Sequence, residues 1–273
     1  VHERVVGDAW VAFPPAAGSL GTFGPTRSQR AALGVGLSYQ RQKGIAMTTV
    51  EEAPVARGLP RLGEPAPDFE AVTTQGTVRL SDFRGSWLVL FSHPADFTPV
   101  CTTEFIGFAG IYQKLQERHT ELLGLSVDSV YSHIAWVRNI EEKTGTHIPF
   151  PVIADLDKKV ATAYGMLMPG ESKTEASRCV FVIDPEGVLR AMIYYPLTTG
   201  RNMDEIVRLV DALQVADKNN VATPANWRPG DKVIVPAPNT VELAAERSSQ
   251  DFIKKTPGYE SIDWYLTKKS LEL

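Results

Sequence analysis

Cys101 lies in the run Phe91-Ser92-His93-Pro94-Ala95-Asp96-Phe97-Thr98-Pro99-Val100-Cys101-Thr102-Thr103-Glu104, three residues after Thr98 and seven after Pro94. A cysteine attacks as its thiolate, so its reactivity is set by the charges and dipoles around it. The run joins an apolar segment, 87–91, to a stretch with apolar residues at helical spacing: Phe105, Phe108, Ile111, Tyr112 and Leu115. That arrangement predicts Cys101 in the first turn of a helix, where unpaired backbone N–H groups and the positive dipole end favour a thiolate. Thr98 can bring a hydroxyl beside the sulfur. Pro94 shapes the strand-to-helix loop and, lacking an N–H, limits water access. A cysteine that merely fills a core needs none of these neighbours.

The second cysteine, Cys179, lies in Arg178-Cys179-Val180-Phe181-Val182-Ile183, an apolar strand, and reads as a buried core thiol. Two cysteines in 273 residues make no disulfide framework, and without a Cys-x-x-Cys pair there is no zinc ribbon. Thiol–disulfide exchange through a paired motif is disfavoured too, because position 104 is Glu. The cysteine usage fits one reactive thiol in a reducing compartment, and a cytoplasmic location is expected. Neither a metal nor a cofactor is expected.

These residues need a scaffold of alternating strands and helices. Strands are predicted at 78–80, 87–91, 121–127 and 150–154, followed by a hairpin, 179–183 and 188–194, around Asp184-Pro185-Glu186-Gly187. Helices are predicted at 102–118, 132–144, 156–164 and 203–216. The fold class is therefore α/β, a central mixed sheet flanked by helices over 59–220. From about residue 221 a loop-rich stretch opens a small C-terminal unit, 221–273, too short to hold a core alone and expected to pack on the main domain or a second subunit.

A net charge of −4 gives no footprint for nucleic acid, and no apolar run is long enough to span a bilayer. Residues 1–46 are rich in Gly, Pro, Ala and Arg and lack a clean amphipathic pattern. They resemble an organellar transit peptide only weakly. Met47 is expected to be the natural start, with 1–58 an extension of the folded domain.

Pro94, Thr98 and Cys101 form Pro-x-x-x-Thr-x-x-Cys, which resembles the active-site signature of peroxiredoxins. The string Pro99-Val100-Cys101-Thr102-Thr103-Glu104 is similar to their one-Cys, C-terminally extended branch, and 195–202 and 222–231 agree with it. The resemblance implies a thioredoxin-like fold with a C-terminal dimerisation unit, and a thiol peroxidase acting on hydrogen peroxide and organic hydroperoxides. It implies that Cys101 is oxidised to a sulfenic acid, that Arg178 pairs with the sulfur and the peroxide, and that Arg201 is a second arginine of the site. His93 is implied to line the pocket, and Glu104 to orient the arginines. The tail position that carries a resolving cysteine in some relatives is Ser261 here, so an external thiol is the expected reductant. A disulfide with Cys179 is the alternative, at the cost of opening its strand. The implied assembly is a homodimer or a higher ring, to which a chaperone role could be added.

Overall fold

The computed structural model of the chain describes residues 58–271. The reading of 1–46 as upstream sequence, and of Met47 as the start, lies outside the described residues.

The described chain begins with a hairpin, β1 (Glu70–Thr73) and β2 (Gly76–Arg79), followed by a single 3₁₀ turn over Leu80–Phe83. Then come β3 (Trp87–Ser92), α1 (Pro99–Gln116), β4 (Thr120–Ser126), α2 (Val130–Thr144), β5 (Val152–Ala154) and α3 (Lys159–Ala163). The domain ends with the hairpin β6 (Arg178–Ile183) and β7 (Leu189–Tyr195) and the long helix α4 (Met203–Asn219). The sheet order is β2-β1-β5-β4-β3-β6-β7. Its centre, β5-β4-β3, is parallel, whereas β6 and β7 on one side and β1 and β2 on the other run antiparallel. This is the mixed sheet expected of a thioredoxin-like domain.

Side chains alternate across a strand, and the two cores follow that period. Val89 and Phe91 of β3 face Phe105 and Phe108 of α1, Trp136 of α2, and Ile206 and Val210 of α4. Leu88 and Leu90 face the other way, with Leu123, Leu125, Tyr164 and Phe181. Every residue of β3 is buried, which explains its unbroken apolar sequence. Close approach also matters at Gly107: a Cβ there would meet the Met203 side chain at 3.0 Å, so its absence lets the start of α4 sit against α1.

Two expectations about elements need correction. The strand expected at 78–80 is Gly76–Arg79, with Leu80 already in the 3₁₀ turn, and its partner β1 was not anticipated. The helix expected at 156–164 shrinks to α3, because Lys158 takes a left-handed conformation and the Asp155 carboxylate accepts from the Val160 and Ala161 amides. Asp155 thereby satisfies the free amides that open α3. The C-terminal stretch has its own elements: β8 (Val233–Ile234), α5 (Val241–Arg247), α6 (Gln250–Lys255), β9 (Tyr259–Asp263) and β10 (Leu266–Lys269), the strands ordered β8-β10-β9. Trp227 is buried against Ala212 of α4 and Val233, its indole N–H donating to the Asp231 carbonyl at 3.1 Å. Among the described residues, no helix is long and apolar enough to cross a membrane.

Candidate active site

The loop from β3 to α1 carries the motif. Thr98 occupies the position before the helix and Pro99 the first helical position, where a missing N–H costs nothing. The first intrahelical bond runs from Thr102 N–H to the Thr98 carbonyl, at 3.0 Å. Cys101 is therefore the third residue of α1, ahead of that bond and fully buried. Thr98 does not cap the helix; its hydroxyl donates to the Ala95 carbonyl at 2.9 Å. Pro94 is buried in the loop, and Phe97 holds a left-handed backbone at φ 56°.

Three buried charged side chains converge on the helix start. Arg178, the first residue of β6, donates from Nη1 to the Cys101 sulfur at 3.3 Å and to Glu104 Oε2 at 2.6 Å. Its Nε donates to the Leu197 carbonyl at 2.9 Å. Arg201, just before α4, grips the same carboxylate with its backbone N–H, Nε and Nη2, at 2.7 to 2.9 Å. Its Nη1 bridges the carbonyls of Ser92 and Cys179, both at 2.8 Å. The guanidinium carbon lies 5.1 Å from the ring centres of both Phe91 and Phe108. Burial pushes the Glu104 carboxyl up, but the charges and hydrogen bonds of Arg201 and Arg178 outweigh it and hold it below its ordinary value.

Cys179 lies on the other side of the sheet, in the core with Leu90 and Phe181, whereas Cys101 packs with Phe91 and Phe105. Burial pushes the Cys179 thiol up to about 12, against smaller opposing effects of Ser92 and Arg201. Both cysteines are free.

The family model for the AhpC/TSA family matches residues 62–192, and that for the C-terminal domain of 1-Cys peroxiredoxin matches 212–250. A peroxiredoxin of Aquifex aeolicus is 58% identical over 224 residues, spanning 78% of this chain and 98% of its own. The chain belongs to the peroxiredoxin family. A second peroxiredoxin, of Methanosarcina mazei, is 50% identical over 77% of this chain and 98% of its own. Among solved structures, a yeast mitochondrial 1-Cys peroxiredoxin has a TM-score of 0.66 at 38% identity, covering 78% of this chain and 100% of its own. A cysteine-to-serine mutant of the peroxiredoxin 6 of Arenicola marina has a TM-score of 0.68 at 37% identity, covering 78% and 99%. This peroxiredoxin is accordingly a thiol peroxidase on a thioredoxin-like scaffold, with one-Cys character.

Of the residues singled out in the peroxiredoxin sequence, the structure brings Cys101, Glu104, Arg178 and Arg201 together directly. Thr98 and Pro94 flank them in the loop. His93 is buried beside the cluster, but none of its hydrogen bonds goes to Cys101 or the arginines: its Nε2 pairs with Asp96 Oδ1 at 3.0 Å. Sequence reasoning missed Asp96 and His133. His133 Nδ1 meets the Asp96 carboxylate at 2.9 Å, and its Nε2 meets the Ile153 carbonyl at 3.0 Å. Asp96 and His133 lie 37 positions apart, so no local spacing announces the pair. The nitrogens and carboxylate of His93, Asp96 and His133 lie within 4.8 Å of one another, and of the described residues these could hold a metal ion.

Proposed function

We propose that Cys101 is the thiol that reduces hydrogen peroxide and organic hydroperoxides in this peroxiredoxin. The observation that carries the reading is the 3.3 Å contact between Arg178 Nη1 and the sulfur. Charge balance supports it. Two buried guanidinium groups face one buried carboxylate, which leaves one positive charge over, and a thiolate at Cys101 neutralises it. An unpaired buried charge is costly, so the cluster favours the reactive form of the cysteine.

The thiolate attacks the terminal peroxide oxygen; an S–O bond forms as the O–O bond breaks, and the departing oxygen leaves as water or alcohol after taking a proton. Cys101 is left as a sulfenic acid. Arg178 is fitted to stabilise both the thiolate and the departing oxygen, because its charge is permanent and its fork presents several donors. Glu104 orients it, and Arg201 anchors Glu104 to two strand carbonyls. The Thr98 hydroxyl proton is engaged by Ala95, so its oxygen is free to accept a hydrogen bond from the peroxide O–H.

An external thiol closes the cycle by attacking the sulfenic sulfur and releasing water; a second thiol then frees Cys101. Support comes from the position of Cys179, on the opposite face of the sheet with its thiol pushed up by burial. Thiol resolving in the yeast mitochondrial relative runs via glutathione/thioredoxin systems. Free cysteines fit a reducing compartment, with the cytoplasm the proposed location.

We further propose a 59–220 peroxidase domain with a 221–273 dimerisation unit, supported by the separate family match over 212–250. Ile262, Trp264 and Tyr265 are exposed there, as a surface covered by a second copy would be. Light scattering at micromolar concentration should return a dimer or larger ring; a stable monomer removes this part of the reading. For the chemistry, Cys101→Ser should abolish peroxide turnover, and full turnover by that variant would sink the assignment.

A further inference from the structure

We infer that Ser92 is a positioning residue: its hydroxyl fixes the backbone on both sides of Arg178 and so aims that guanidinium at the Cys101 sulfur. The inference rests on Cys101 being the reacting thiol and deepens that reading. Ser92 is the last residue of β3 and the only polar one in it, ending the run Trp87-Leu88-Val89-Leu90-Phe91-Ser92. It is fully buried. Its Oγ–H donates to the Ser177 carbonyl at 2.6 Å, and its Oγ accepts from the Cys179 N–H at 3.1 Å. Ser177 and Cys179 are the residues on either side of Arg178. One hydroxyl therefore clasps the peptide group that enters Arg178 and the one that leaves it, using its single proton and a lone pair.

The pairing of β3 with β6 explains why a side chain is needed at this point. The last registered pair is Phe91 with Val180, so Arg178 and Cys179 lie past the end of the ladder on that edge. On its other edge Arg178 is registered with Tyr195 of β7. The Ser92 hydroxyl supplies the donor and the acceptor that main-chain groups supply further along the strand. Ser177, Arg178 and Cys179 are all buried, so solvent cannot take over those bonds unless the strand opens. Losing the hydroxyl leaves a buried carbonyl and a buried N–H without partners.

Alternation of side chains separates this clasp from the chemistry. Ser92 shares a face of β3 with Leu88 and Leu90, whose core also contains Cys179, whereas Cys101 packs in the core on the opposite face. The hydroxyl bonds to two backbone groups of the β6 segment, so what it contributes to the reaction passes through that backbone. The main chain of the same residue serves the other arginine. The Ser92 carbonyl accepts from Arg201 Nη1 at 2.8 Å, as does the Cys179 carbonyl. Both arginines of the site thus take their register from the end of β3. The tolerance is small, because Arg178 has to meet the Leu197 carbonyl, Glu104 and the sulfur at once, at 2.6 to 3.3 Å. A shift of about 1 Å in the strand is enough to break that set.

The test is the rate of Cys101 oxidation by hydrogen peroxide in full-length protein, in a double-mutant cycle of Ser92→Ala with Arg178→Met. Ser92→Ala should slow oxidation about tenfold or more. In the Arg178→Met background the same change should alter the rate by no more than about twofold, because the group it acts through is gone. Ser92→Thr, which restores the hydroxyl, should recover most of the rate. Ile183→Val loosens the far end of β6 without touching these bonds and should leave the rate near wild type. NMR of protein nitrogen-labelled in arginine supplies a structural arm. The Arg178 Nε–H, bonded to the Leu197 carbonyl, should be protected from exchange in the wild type and lose that protection in Ser92→Ala. An unchanged rate in Ser92→Ala, an equal loss in both backgrounds, the same loss in Ile183→Val, or an undisturbed Arg178 signal would overturn the assignment. Should Ser92→Ala fail to fold, the isosteric pair Ser92→Thr and Ser92→Val replaces it, and equal rates in those two would overturn it as well. If wild-type Cys101 took up no oxygen, the reading of Cys101 would fail while the Arg178 signal still judged Ser92.

Discussion

Arg178 brings Nη1 to 3.3 Å from the Cys101 sulfur although 77 positions separate the two residues. The contact exists because β6 pairs antiparallel with β3, so that the first residue of β6 comes alongside the end of β3 and the loop into α1. Arg178→Met keeps the length of the side chain and removes its charge and forked donors. The rate of Cys101 oxidation should fall by about a hundredfold or more, the usual cost of losing one preorganised donor at a developing charge. Stopped-flow fluorescence with hydrogen peroxide measures it. Arg178→Lys should recover only part of the rate, since one ammonium cannot reproduce the bonds to Leu197, Glu104 and the sulfur together.

Glu104 is 2% exposed and sits between two guanidinium groups. Glu104→Gln leaves two guanidinium charges with only the Cys101 thiolate against them and should destabilise the fold by about 3 kcal/mol, read from urea unfolding at pH 7.

The same carboxylate contributes to acid sensitivity, and its sign follows from its lowered folded pKa. Above the ordinary value of 4.5 the folded and unfolded states both carry the charge, and the full stabilisation is present. As pH drops below it, the unfolded chain binds a proton first, and stability is lost down to the folded pKa. Between about pH 5 and 3, Glu104→Gln should therefore lose less stability per pH unit than the wild type. Equal slopes in urea titrations would contradict the pairing.

Cys179 should be dispensable. Cys179→Ala should cost about 1 kcal/mol of stability and leave thiol-dependent turnover within about twofold of wild type. With its thiol pushed up to about 12 and fully buried, Cys179 should resist iodoacetamide at pH 8 in the native protein and react once the chain is unfolded.

Trp227 ties the C-terminal stretch to α4. It is 2% exposed against Ala212 and Val233. Trp227→Ala should cost about 3 kcal/mol or more, and limited proteolysis should then cut after α4 before it cuts the main sheet.

How far the sequence alone reaches depends on the range of the interactions. The position of Cys101 in the first turn of α1 was legible because strand, loop, proline and helical stripe are all local signals. The placement of Arg178, Glu104 and Arg201 came from resemblance, since nothing in their spacing reveals that two arginines share one carboxylate. The strand β1 escaped notice because only a short hairpin and a single register point, Thr73 with Ile153, hold it to the sheet. The start of α3 was misread because it is set by a carboxylate preceding the helix and a left-handed Lys158, neither of which disturbs an apolar pattern. His133 reads in sequence as one more residue of an amphipathic helix. Only the fold sets it against Asp96 and Ile153.

The central claim is that Cys101 alone takes the oxygen. The direct measurement is the peptide-mapped mass of the protein after brief exposure to one equivalent of hydrogen peroxide, with remaining thiols blocked. The expected result is one added oxygen on the Cys101 peptide, with Cys179 carrying only the blocking group. A Cys101–Cys179 disulfide, or oxygen on Cys179 while Cys101 is blocked unchanged, would contradict it.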